Sequence, residues 1–228
     1  MHTVKTDIDR PDATLVSNFE SIPSAIVADV SSRPDVAMEA GLDPIGRNVD
    51  MAGTALTVSA SPGDNLAIHK AITMAEPGDV LVVDGDGYTG AAFVGELMCA
   101  SCQAHDLAGV VIDGAVRDRA ELEALDLPVF ARGVHPAGPL KAHPGSINVP
   151  VTCGGVTVTP GDIVVGDDDG VTVVPANAAE ATLERARAKQ ADETALRERV
   201  EDGDYLYDVG GYAAVFDDLD VPGPDESA

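Results

Sequence analysis

Residues 77–118 read PGDVLVVDGDGYTGAAFVGELMCASCQAHDLAGVVIDGAVRD, and the texture of this run decides the fold. Residues 79–84 (DVLVVD) and 109–113 (GVVID) are apolar runs of strand length without polar alternation, the pattern of strands covered on both faces. Between them, residues 85–89 form a glycine-rich stretch expected to be a loop, with a helix from about residue 95 to 107. Gly114, Ala115 and Val116 read as a turn, after which Arg117 and Asp118 open a short helix through Leu125. Residues 128–131 give a further strand. The order β-loop-α-β-α-β predicts parallel strands with helices packed over them.

On the N-terminal side, residues 21–30 (SIPSAIVADV) read as a short helix opening near Pro23, and residues 53–60 as a strand. Asp64 is suited to cap a helix running through Leu66, Ile68, Ile72 and Met74, which Pro77 and Gly78 stop. After Arg132 the texture changes. Residues 133–148 carry Gly and Pro throughout and read as one long loop, a feature more often functional or interfacial than idle. Four short β segments follow, at 149–151, 156–158, 163–165 and 171–174, with turns at Pro160-Gly161 and Asp169-Gly170. A charged helix from about 178 to 200 comes next, then Tyr205, Leu206 and Tyr207, then an acidic tail over about 211–228. No internal repeat or interdomain linker is visible, so a single domain over 1–228 is expected, with its core at about 20–210.

The 228 residues are 45% hydrophobic but 4% aromatic, with no Trp, so the core must be built from Val, Ala, Leu and Ile. Asp and Glu number 39 against 14 Lys and Arg, a formal net charge of −25. Self-repulsion of that size disfavours a compact state unless salt screens it. The acids are scattered among long Val/Leu/Ile runs, which argues against disorder and for a globular protein adapted to a salt-rich cytoplasm. Nucleic acid is a poor partner for such a surface. Three cysteines give no disulfide framework. The N-terminus lacks the apolar core of a signal peptide, and no apolar run approaches the roughly 20 residues of a membrane span, so a cytoplasmic protein without a membrane partner is expected.

A glycine-preceded helix start offers unpaired amides and the positive end of a helix dipole, which suits an anion. Gly95, Glu96, Leu97 and Met98 would present those amides. The neighbouring strand delivers Arg117 and Asp118 to about the same sheet edge, where ligands of open α/β sheets collect. Amides and a guanidinium suit a carboxylate, and carboxylates suit a hard cation. Taken singly, an Arg-Asp pair at a helix start is more often a cap and a surface ion pair, and a first-turn Glu is favourable there without any catalysis.

The combination resembles the RraA-like family, which includes 4-hydroxy-4-methyl-2-oxoglutarate aldolases, regulators of RNase E activity and proteins named as demethylmenaquinone methyltransferase-like. The matching elements are Pro77-Gly78-Asp79, Gly95-Glu96-Leu97, and Gly109 followed by Asp113-Gly114 and Arg117-Asp118. Flanking pieces agree: Gly53-Thr54-Ala55, Asp64-Asn65-Leu66, Phe130-Ala131-Arg132-Gly133, Pro160-Gly161-Asp162 and Asp169-Gly170-Val171. The resemblance covers roughly residues 20–210 and implies a layered, swivelling β/β/α-type domain with a central, mostly parallel sheet and a C-terminal helix. It implies a metal-dependent aldolase that cleaves 2-oxo acids of the 4-hydroxy-4-methyl-2-oxoglutarate type to pyruvate, with oxaloacetate decarboxylation as a second activity. In that reading residues 95–98 bind the pyruvyl carboxylate and Arg117 contacts the substrate oxygens. Asp118 holds Mg²⁺ or Mn²⁺, and Glu96 organises water. The assembly is expected to be a trimer or dimer of trimers, with Glu193 of a neighbouring subunit near the metal.

Other readings remain. Residues 85–90 are literally G-x-G-x-x-G after a strand, a dinucleotide or S-adenosylmethionine fingerprint, but the chain does not continue as βαβ after Arg132. A regulatory binding protein that inhibits a ribonuclease is the non-enzymatic alternative; the resemblance implies that such regulators tend to lack the acid after the arginine, which is present here as Asp118. Cys99 and Cys102 read as buried small residues rather than a zinc site, His105 as packing on the same helix, and Asp167 to Gly170 as a hairpin turn rather than a calcium loop. His135 and His143 lie in the Gly/Pro loop.

Overall fold

The computed structural model describes residues 2–31, 33, 35–47 and 49–219. They form two compact units, residues 1–186 and 187–228. In the first, four consecutive apolar segments make the centre of a sheet: β2 (Met51–Ser59), β3 (Asp79–Val94), β4 (Gly109–Val116) and β5 (Val129–Val134). They lie side by side in the order β2-β3-β4-β5, all parallel. Short antiparallel partners extend both edges, β1 (Asp43–Pro44) beside β5, and β9 (Ile163–Asp167) with β10 (Gly170–Val174) beside β2. A two-residue strand, β6 (Ser146–Ile147), also pairs with β2.

The lack of alternation in β2, β3 and β4 follows from cover on both faces. One face carries α3 (Leu66–Ile72), α4 (Glu96–Ala104) and α5 (Arg119–Leu122), whose Ile68, Cys99, Cys102 and Leu122 pack on Leu56, Leu81 and Ile112. The other face carries the hairpin of β7 (Val151–Cys153) and β8 (Val156–Val158), packed on Val80, Val82 and Val111. A third cluster joins α1 (Ala13–Ser17), α2 (Ser24–Val30) and the start of α6 (Ala179–Glu201) to β9 and β10, through Phe19, Val27, Leu183 and Val165. A 3₁₀ turn at Ala176–Ala178 leads into α6. The mixed α/β class with a large, mostly parallel central sheet and a C-terminal helix is therefore as expected.

Two expectations change. Residues 85–89 are not a free loop, because β3 continues through them to Val94. Ten steps from Asp84 to Val94 face only three from Asp113 to Val116, and bulges take up the surplus. Asp86 and Gly87 turn left-handed there, with φ of 55° and 64°. Gly114, Ala115 and Val116 are not a turn either; they pair with β3 on one side, and Ala115 and Val116 with β5 on the other.

The long connection after β5 is tied down by one carboxylate. Asp64 is 2% exposed and accepts from Leu66 N (2.9 Å), Ala142 N (2.7 Å) and His143 N (3.0 Å), with His143 Nδ1 at 3.2 Å. It thus supports the start of α3, as its sequence position suggests, and pins residues 141–143 beside it. The helix ends at Ile72, two residues short of Met74.

In the second unit, α7 (Leu206–Val209) and α8 (Tyr212–Asp218) follow α6, and the Tyr207 and Phe216 rings meet edge-on at 6.5 Å. Part of the expected acidic tail is thus helical, while its residues 220–228 lie outside the described residues.

Burial works against the Asp64 charge, but the three amide bonds and His143 outweigh it and hold the carboxyl below its ordinary range. A depressed carboxyl stabilises the fold above the unfolded value and loses that contribution as pH falls through the folded one. Asp64→Ala should cost about 2–3 kcal/mol in urea unfolding at neutral pH, because three donors lose their acceptor. The difference from the parent should shrink on acidification; a penalty below about 0.5 kcal/mol at neutral pH would contradict the clamp.

Candidate active site

The parallel register of β3 and β4 builds the site. Val94 and Val116 are partners at the ends of the two strands, and Arg117 N donates to Val94 O at 3.0 Å. Gly95 and Arg117 therefore leave the sheet side by side. Gly95 continues in extended backbone and leads into α4. Asp118 takes the left-handed conformation (φ 61°, ψ 45°) that Asp and Asn tolerate best after Gly, and so turns the chain into α5. Its Oδ2 accepts from Glu96 N at 3.1 Å and lies 3.4 Å from Arg117 Nε. Asp118 Oδ1 makes no hydrogen bond among the described residues. Both side chains remain accessible, Arg117 at 43% and Asp118 at 38%. A Cβ at Gly95 would strike Asp118 Oδ2 and come within 2.9 Å of Arg117 Cγ, so a larger residue there would push both side chains aside.

These groups line one cavity of about 510 Å³. Gly95, Glu96, Leu97 and Met98 come from the start of α4, and Arg117, Asp118 and Glu121 from the start of α5. Asn65 and His69 come from α3 and the residue before it, and Gly138, Pro139 and Lys141 from the connection pinned by Asp64. The residues singled out in the sequence thus converge, apart from Glu193, which lies in the second unit with Lys189 Nζ 3.2 Å from its Oε1.

The expected row of free amides is shorter than four. Glu96 N is engaged by Asp118, and Met98 N by Gly95 O at 3.2 Å. The N–H groups of Gly95 and Leu97 have no partner among the described residues. Leu97 is 80% exposed at the cavity, an unfavourable place for a large apolar side chain unless something covers it.

Sequence reasoning missed Asn65, His69, Gly138 and Lys141 as lining residues. Lys141 makes no ion pair among the described residues. Burial lowers the His69 pKa, and the nearby Lys141 charge lowers it further, so the neutral imidazole is favoured. The histidines of the Gly/Pro connection act elsewhere: His143 on Asp64, and His135 Nδ1 as acceptor from Ala137 N at 3.1 Å.

The other motifs are structural. Cys99 and Cys102 are each 1% exposed; burial pushes both thiols up, Cys102 to about 12, so neither is a ready thiolate. Asp169 N donates to Asp167 Oδ1 in the β9–β10 turn. Asp113, which would bind a ribose in a dinucleotide site, is instead buried against Arg132 Nε and accepts from Gly154 N at 2.8 Å. Arg132 also reaches Glu39 at 3.1 Å. No helix starts within the glycine motif to receive a pyrophosphate.

Among the described residues no three His, Cys, Asp or Glu side chains are grouped as a ready-made metal cage, and no helix is long and apolar enough to cross a membrane.

Comparison with known proteins places this arrangement in a family. Residues 24–173 match the family model described as RraA-like, Aldolase/RraA. A protein of Halalkalibacterium halodurans, provisionally named 4-hydroxy-4-methyl-2-oxoglutarate aldolase, is 37% identical over 195 residues, covering 86% of this chain and 92% of that one. Among solved structures, RraAS2 of Streptomyces coelicolor, described as an unusual member of the RNase ES inhibitor RraA family, is 29% identical. It has a TM-score of 0.76, covering 84% of this chain and 99% of that one. An uncharacterised protein of Pseudomonas syringae reaches a TM-score of 0.77 at 26% identity, covering 88% and 98%. On the family match and these relatives, the chain belongs to the RraA-like family.

Proposed function

We propose that this protein is a divalent-metal-dependent lyase that releases pyruvate from 4-hydroxy-2-oxo dicarboxylates of the 4-hydroxy-4-methyl-2-oxoglutarate type and also decarboxylates oxaloacetate. The observation that carries the reading is a cavity in a chain of net charge −25 that gathers Arg117, Lys141, two unpaired amides and an accessible carboxylate, Asp118. Cations and amides suit the carboxylates of a small substrate, and 510 Å³ accommodates one. The relative named as an aldolase supports the choice of reaction.

The donor set suits Mg²⁺ or Mn²⁺. These ions take oxygen ligands and need only one or two protein carboxylates, since water and substrate complete the shell. Asp118 would hold the ion through its unengaged Oδ1, with Glu193 of a neighbouring subunit in a trimer proposed as a further oxygen donor. Such an ion supplies Lewis acidity at the 2-oxo group. The amides of Gly95 and Leu97 receive the adjacent carboxylate. Arg117 places fixed positive charge where the pyruvate enolate develops, whether the bond broken leads to a carbonyl fragment or to CO₂. Glu96, at the cavity wall, takes the 4-hydroxyl proton through a water.

Pyruvate release in molar salt, corrected for the metal-catalysed background without protein, tests the reading. Asp118→Asn retains an acceptor for Glu96 N but removes the charge, and should abolish activity as EDTA does. Arg117→Lys should lower kcat about 100-fold. Turnover that survives both EDTA and Asp118→Asn would overturn the metal mechanism, and no turnover of either substrate would leave the regulatory, ribonuclease-inhibitor type of function in its place.

A second expectation concerns Gly95. Gly95→Ala should displace Asp118 and Arg117 and lower kcat/KM about 100-fold, by misplacing the reacting groups rather than by unfolding. A thermal midpoint close to the parent's, together with the lost activity, is the expected result; unchanged kinetics would show that the close approach at Gly95 does not position the site.

A further inference from the structure

We infer that Asn65 gives the site a binding preference for the hydroxylated substrates, its Oδ1 accepting the hydrogen bond of the C4 hydroxyl; the inference rests on the lyase reading above.

Asn65 is 3% exposed and lines the cavity. Its backbone is held at both polar atoms, N donating to Leu140 O at 3.1 Å and O accepting from His69 N at 3.1 Å. Its Nδ2 donates to Phe93 O at 2.9 Å and lies 3.3 Å from Met98 Sδ. That bond fixes the amide's orientation, because a flip would set Oδ1 against a carbonyl oxygen, acceptor to acceptor. The atom left over is Oδ1, buried and without a hydrogen-bond partner. Buried acceptors are nearly always satisfied, so an orphan on a residue that lines the cavity calls for a donor, and a ligand that settles against Asn65 can supply one.

Substrate chemistry narrows that donor to one group. At neutral pH the carboxylates and the 2-oxo group of these acids are acceptors only. The C4 hydroxyl is the single donor on a 4-hydroxy-2-oxo acid, and oxaloacetate in its keto form has none. Asn65 therefore favours binding of the hydroxy acid over oxaloacetate. It is a positioning residue: an amide oxygen cannot keep the proton, which must swing to the water near Glu96 before the bond breaks. The bond is made in the ground state and given up before the transition state, so its loss raises KM and does not lower kcat.

The test compares the two substrates in one variant. Asn65→Leu should raise KM for 4-hydroxy-4-methyl-2-oxoglutarate about tenfold more than KM for oxaloacetate; the lost partner of Phe93 O falls on both substrates and cancels in that ratio. Asn65→Asp, which as a neutral buried acid retains both the donor to Phe93 O and an acceptor, should restore the preference at the acidic end of the assay range. A purely structural Asn65 would move both substrates together, so parallel losses, or no change for the hydroxy acid, would overturn the assignment. If Asn65→Leu does not fold, Asn65→Ser, whose hydroxyl is too short to replace the amide, carries the same comparison. Parent protein that turns over neither substrate would remove the lyase reading itself, an outcome separate from equal losses in an active enzyme.

Discussion

The Val94–Val116 pairing at the ends of β3 and β4 is the constraint on which the site depends. In a parallel ladder the residues after paired strand ends emerge as neighbours, so this one register point puts Gly95 beside Arg117. Reaching it requires β3 to lose the length it has over β4, which explains a glycine-rich strand with three register shifts in the middle of the sheet. The Asp86 amide on Asp84 Oδ1 at 3.1 Å and the left-handed Asp86-Gly87 pair shape the first bulge. The glycines that resemble a phosphate loop serve strand geometry, and the unpartnered amides begin five residues later, at the true helix start.

The second requirement is electrostatic. A chain of net charge −25 repels an anionic substrate as well as itself, and salt weakens both effects. Several of its few cations are committed inside the fold. Arg10 forks onto buried Asp79 at 2.8 and 3.0 Å and reaches Glu76, and Arg132 joins Asp113 to Glu39. Arg117 and Lys141 are different, because both face a cavity where local positive charge can oppose the field of the whole surface. Lys141 owes its place to Asp64, which grips the amides of the two residues after it. A buried carboxylate with no part in the chemistry thereby fixes one wall of the site.

What was legible in the sequence follows the same division. The unbroken apolar runs of β3 and β4 announced a sheet covered on both faces, and Gly95-Glu96-Leu97 with Arg117-Asp118 announced residues that meet at one cavity. Residues 85–89 and 114–116 misled because glycine signals a turn only when nothing larger claims the backbone; here partner strands did. Asn65, His69 and Lys141 were illegible for another reason. Each reaches the cavity from a segment distant in sequence from β3 and β4, and an Asn before a helix is indistinguishable from an ordinary cap until Phe93 O is seen to hold its amide. Contacts of that kind exist only after the chain has folded.

Fold and chemistry are separable at the decisive position. Asp118 sits on the surface side of the turn, and its stabilising tasks are to adopt φ 61° and to accept from Glu96 N. Asn meets both demands, since it too tolerates the left-handed region and carries an acceptor oxygen. The turn into α5 therefore survives loss of the negative charge, while the proposed cation would lose its anionic ligand. A scaffold built this way can change the charge at this position without unfolding and still present the same cavity and sheet, in keeping with a family that holds proteins named as aldolases and proteins named as RNA-processing inhibitors on one fold. In the proposed function, the acid at residue 118 is then the feature that weighs toward catalysis, more than any property of the fold around it.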